Sequence, residues 1–127
     1  MTVTEVLTAV DEIKPNAFST AAKLRWLNQL ELRIATEVFL LAPAELPALD
    51  LVANESGDWE LLVGAPYEDI YEIWLATEID QHNAEYTKRA NTTIVFDDRW
   101  RNFAAWFANM YEPASGYLVP AGGEEGN

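Results

Sequence analysis

The stretch "GAPYEDIYEIWLATEID", residues 64–80, sets Tyr67, Ile70, Tyr71, Trp74, Leu75 and Ile79 three to four residues apart among five carboxylates, with no lysine or arginine. Side chains at that spacing share one face of an α-helix, so the apolar set reads as a buried stripe, while Glu68, Asp69, Glu72 and Asp80 point mainly to water. The acids are then a solvated face rather than a catalytic pair. Pro66 suits a first helical position, the early acids suit the positive end of the helix dipole, and Lys88 with Arg89 suits its negative end. A helix is predicted from Tyr67 to about Ala90.

The same period governs "TAAKLRWLNQLELRIATEVFLL" (20–41), where Leu24, Leu27, Leu30, Ile34, Val38 and Leu41 recur behind a cap at Ser19 or Thr20. A shorter helix in "TVTEVLTAVDEI" (2–13) carries Val6, Leu7, Val10 and Ile13, with Thr2 or Thr4 as its cap, and stops before Pro15. After a break at "ANTT" (90–93), Phe96, Trp100, Phe103, Phe107 and Met110 or Tyr111 line a fourth helix that Pro113 ends. Between Ala42 and Pro66 neither the helical nor the strand period persists. Pro43, Pro47 and "NESGDW" (54–59) mark a long surface connection, with room for one short strand at "WELLV" (59–63). The Gly- and Pro-rich end "PASGYLVPAGGEEGN" (113–127) reads as an extended tail. The expected fold is all-α: a small bundle of about four helices over residues 1–113, with a long 42–66 connection, followed by a flexible tail over 114–127.

Composition restricts function. The 127 residues hold 21 acids against 8 bases, a formal net charge of −13, and are 50% hydrophobic. Such a chain folds, but its surface repels nucleic acid and anionic membranes, because phosphate affinity rests on lysine and arginine. No run is long enough to predict a membrane span. With no cysteine there is neither a disulfide nor a thiolate metal site. The N-terminus lacks the basic and apolar blocks of a signal peptide, which places the chain in a cytoplasm and gives the sequons at Asn54 and Asn91 no weight.

Candidate chemistry is sparse. Glu78 and His82, four residues apart, share a helical face and could hold a metal or share a proton, but His82 is the only histidine. The repeated Glu-x-x-His of bundle di-metal sites and the His-Glu-x-x-His of zinc proteases are both absent, so His82 reads as structural and no metal or cofactor is expected. Around Gly57, Asn54 and Ser56 match a calcium loop, but Val52 and Val63 occupy its end positions. There is no phosphate loop or serine elbow, so the chain reads as non-enzymatic. Five tryptophans are many for this length. Trp26 and Trp106 sit beside the main stripes, so Trp26, Trp59 and Trp106, with the apolar tail pair Tyr117 and Leu118, are the candidate partner-binding residues.

Four stretches together carry a resemblance: "VDEIKPN" (10–16), "KLRWLNQLELRI" (23–34), "ELLVGAPYEDIYEIWLATEIDQHNAEY" (60–86) and "FDDRWRNFAAWF" (96–107). Lys-Pro-Asn before a Trp-Leu helix, Leu-Leu-Val-x-Ala-Pro-Tyr, and Ile79, Asp80, Asn83 and Glu85 in the spacing Ile-Asp-x-x-Asn-x-Glu are its specific elements. In this order the chain resembles the small phage and prophage head-tail connector proteins, the adaptors that dock beneath the portal. It departs from their pattern at "TKRAN" (87–91) and in its Gly- and Glu-rich tail. The resemblance implies a non-catalytic subunit that forms a ring with copies of itself and meets a portal protein and another neck or tail-completion protein. Its expected place is the host cytoplasm during assembly and the virion neck afterwards. An acidic ring would let DNA pass without sequence-specific binding. Two other readings stand beside it: a small cytoplasmic helical adaptor or regulator binding one protein partner, and a metal-dependent enzyme using Glu78 and His82.

Overall fold

The computed structural model describes residues 1–41, 44 and 60–110. Among them are four helices, α1 (Val3–Ile13), α2 (Thr20–Glu37), α3 (Ile70–His82) and α4 (Tyr86–Met110), and the fold is all-α. The third helix is the centre: α4, α2 and α1 all pack against it. Its buried residues Ile70, Tyr71, Leu75 and Ile79 are the predicted stripe, with Tyr67 and Trp74 half-buried at its margin. Leu27, Leu30 and Ile34 from α2, Val3, Val6 and Val10 from α1, and Phe96 and Phe103 from α4 close the core around them. Each such aliphatic side chain contributes about 1.5–3 kcal/mol by leaving water.

Local chemistry starts the first two helices. Thr2 and Glu5 form a reciprocal capping box, each side chain meeting the other's backbone N–H, and the Ser19 hydroxyl accepts from the Ala22 amide. The second helix ends at Glu37 rather than Leu41, and Leu40 lies in the left-handed region with φ 57.

Four further expectations are corrected. The break between the last two helices lies at residues 83–85, not at "ANTT", which is helical throughout. Ala84 has φ 60, its N–H donates to Gln81 O, and the Glu85 N–H donates to Asp80 O; this pair of bonds is a Schellman C-cap. Within "ANTT", the Thr92 hydroxyl bonds back to Lys88 O and leaves the helix intact. The 42–66 connection is not all surface: Leu61 and Val63 belong to the core, while Glu60 and residues 64–66 are exposed. Residues 60–63 of "WELLV" form no strand, Trp59 lying outside the described residues; Thr2 and Glu60 make one isolated antiparallel bridge, and the Leu61 N–H donates to Met1 O. Most of the connection, and the whole tail, lies outside the described residues. Ile13, placed on the buried stripe of α1, is instead 69% exposed.

Candidate interaction surface and the polar groups behind it

The acids of residues 64–80 are not a uniformly solvated face. Asp80 is 0% exposed; its carboxylate takes the Lys14 ammonium at 2.8 Å and, at 3.1 Å, shares the single Thr92 hydroxyl proton with Lys88 O, tying the end of α1 to α3 and α4. Asp69 accepts from Arg99 Nε at 2.9 Å, and that guanidinium also donates to Pro66 O and lies over the Tyr67 ring. Glu68 meets the Met1 ammonium, which also bonds Glu60. A buried carboxylate is tolerated only where donors replace the lost water; Asp80, Asp69 and Glu68 have such donors, whereas Glu78 has only the His82 ring at 3.9 Å and Glu72 has none among the described residues.

Glu31, which the sequence analysis passed over, is fully buried on α2. It accepts from the Leu62 N–H at 2.8 Å and from the Tyr71 hydroxyl at 2.7 Å, and that hydroxyl accepts in turn from the Val63 N–H at 2.9 Å. Two backbone donors of an extended segment, lacking a sheet partner, are thus satisfied by a helix carboxylate and a phenol. Burial, together with the neighbouring Glu31 charge, pushes the Tyr71 pKa far above its ordinary value, so Tyr71 stays a donor. The only forward signal was the position of Glu31, four residues after Leu27 on a buried face.

Of the candidate partner residues, Trp26 is 9% exposed: its ring packs on Phe18 and His82, and its carbonyl accepts from Trp74 Nε1 at 2.7 Å. That leaves little of it for a partner. Trp106 is half-buried and lies 5.4 Å from the Tyr67 ring. The structure therefore does not bring these two indoles into one patch. Trp59, Tyr117 and Leu118 lie outside the described residues.

Glu78 and His82 share a face, but His82 Nδ1 lies 2.8 Å from its own helix's Glu78 carbonyl and 3.9 Å from the Glu78 carboxylate. A carbonyl only accepts, so Nδ1 carries the proton and cannot chelate together with that carboxylate. Burial raises the Glu78 pKa, opposed by His82 and Arg89. No group of three or more His, Asp or Glu side chains among the described residues is placed to hold a metal ion. No helix among them is long and apolar enough to cross a membrane.

Among the described residues there is an open groove of about 380 Å³ between the end of α1, the outer face of α3 and the first half of α4. Ile13, Ile73, Ala76 and Val95 form its apolar lining, and Asp69 and Glu72 stand among them. Sequence reading missed it because its residues come from three helices. The adjacent β-branched pair Ile94 and Val95 in an otherwise polar turn was the available sign, and both are exposed. Comparison with protein-family models, with curated proteins and with solved structures returns no match.

Proposed function

We propose that this chain is a non-enzymatic subunit of a phage or prophage head-tail connector. In this reading copies of it form a ring beneath the portal, in the host cytoplasm during assembly and in the virion neck afterwards. The ring continues the DNA channel toward the tail and contacts a neck or tail-completion protein.

What supports this reading is that the stretches carrying the resemblance bind one another. Lys14 of "VDEIKPN" holds Asp80 of the Ile-Asp-x-x-Asn-x-Glu element, and Glu31 of the Trp-Leu helix holds Leu62 and Tyr71 of the third stretch. The shared pattern is then a set of residues that maintain one fold rather than a scatter of similar letters. Charge is consistent with the role. Lys14, Lys23 and Arg99 are paired inside the chain with Asp80, Asp11 and Asp69, and Arg33 lies over the Trp100 ring. Few cations remain for phosphate, which suits a lumen through which DNA slides.

The test is the solution mass of the full chain, alone and with purified portal rings, by light scattering and electron microscopy. The reading expects a ring of this protein on the portal, weakened by deletion of residues 114–127, which leaves the melting temperature nearly unchanged. A protein that stays monomeric and ignores portal rings would overturn it and favour a single-partner adaptor.

A further inference from the structure

The groove between α1, α3 and α4 combines an apolar lining with one uncompensated charge. Ile13 is 69% and Val95 53% exposed, and Ile73 and Ala76 lie between them on α3. Together they make a small apolar lining open to solvent on a chain that is otherwise heavily acidic. Asp69 is neutralised by Arg99, but Glu72 has no ion pair and no hydrogen bond among the described residues. Burial, with the Asp69 and Glu68 charges close by, raises the Glu72 pKa above its ordinary value.

We propose that this groove receives a cationic amphipathic segment of another protein, whose aliphatic side chains cover Ile13, Ile73 and Val95 and whose lysine or arginine pairs with Glu72. The sequence argues against the chain's own segments as the occupant. All 8 basic residues lie within 14–101, and none falls in 42–59 or 102–127, so neither the connection nor the tail can bring Glu72 a cation. The tail instead brings Glu124 and Glu125. A second copy is also disfavoured, since it approaches with a net charge of −13, with Lys14, Lys23 and Arg99 paired, and with Lys88 and Arg101 beside their own Glu85 and Asp98, so that Arg25 is the exposed cation it has left without an ion pair among the described residues. The aliphatic strip supplies buried area and the lone carboxylate sets polarity and register, as in other helix-in-groove contacts. The inference goes beyond the connector reading and holds without it; within that reading the segment belongs to the portal or neck protein.

The test uses the isotope-labelled full chain and two short helical peptides with leucines at three- and four-residue spacing, one flanked by lysines and the other by glutamates. The lysine peptide should shift the amides of Ile73, Ala76 and Val95, and the glutamate peptide should not. Glu72→Gln, which removes charge without disturbing packing, should weaken the lysine peptide about tenfold, an effect of about 1.4 kcal/mol, and high salt should do the same. Val95→Asp should abolish binding. The proposal is overturned if the lysine peptide fails to saturate, if both peptides bind equally, or if the shifts fall elsewhere. It is equally overturned if Val95→Asp lowers the protein's own solution mass, which would make a second copy the occupant. Deletion of 111–127 that by itself shifts the groove amides would make the tail the occupant. Ring formation on the portal is read by mass, so failure of one proposal leaves the other measurable.

Discussion

Tyr71→Phe tests the central polar arrangement of this fold while leaving its apolar packing in place. The substitution deletes one oxygen that makes two contacts, donating to Glu31 Oε1 at 2.7 Å and accepting from the Val63 N–H at 2.9 Å. Loss of a hydrogen bond to a charged acceptor is worth about 1.5–3 kcal/mol, and a buried backbone N–H left without a partner costs about 1–3 kcal/mol. Because both groups depend on the same oxygen and relax together, the expected loss is about 3–5 kcal/mol, a large share of the stability of a domain this size. The corresponding fall in melting temperature is on the order of 10–20 °C. Urea unfolding followed by tryptophan fluorescence and by far-ultraviolet circular dichroism measures it, with coincident transitions showing that a single free energy applies. Tyr86→Phe is the control, since Tyr86 is exposed and should change stability by no more than about 0.5 kcal/mol. A Tyr71→Phe protein within about 1 kcal/mol of the parent would refute the reasoning and show that water or backbone movement satisfies Glu31 and Val63.

Ala84 occupies the left-handed position of the Schellman cap, which costs an alanine about 1–2 kcal/mol, while glycine gives back about 0.4–1 kcal/mol through the unfolded chain. Ala84→Gly should therefore raise stability by about 0.5 kcal/mol in urea titration, and a clear loss would argue against the cap. At Asp11 burial works against the charged form, but hydrogen bonds from Lys23 and Asn16 and the Lys23 charge outweigh it, so the folded pKa lies below the ordinary 3.8. Stability from that group is present above pH 3.8 and disappears as pH falls through the folded pKa. Asp11→Asn should accordingly be less stable than the parent at neutral pH and converge with it in acid; a constant difference across that window would contradict the assignment. Protein purified without added metal should contain no stoichiometric zinc or iron by elemental analysis, and a metal lost in His82→Ala would restore the enzymatic alternative.

Helix existence was legible because it depends on near neighbours. The three- and four-residue recurrence in 20–41 and 64–80, and the caps at Thr2 and Ser19, are local, and the bundle class follows from several such stripes needing one another. The last turn of α2 and the break before α4 were not legible, since the chain turns at Leu40 and Ala84 through left-handed residues that are not glycine. A sequence reading places such turns at glycine, asparagine or runs like "ANTT". Asp80 and Glu31 show the same limit for charge. Asp80 lies on a helix whose acids read as solvated and Glu31 was passed over, and each is buried because charged or backbone donors, Lys14 for one, Leu62 and Tyr71 for the other, arrive from 31 to 66 positions away. Composition and residue order together already determined an acidic all-helical domain without cysteine and with its cations confined to 14–101. Which carboxylates are held inside, which extended residues complete the core, and which apolar residues meet in an open groove around Glu72 were decided only by tertiary structure. Desolvation and its compensation are properties of groups brought together in space, and spacing along one helix does not contain them.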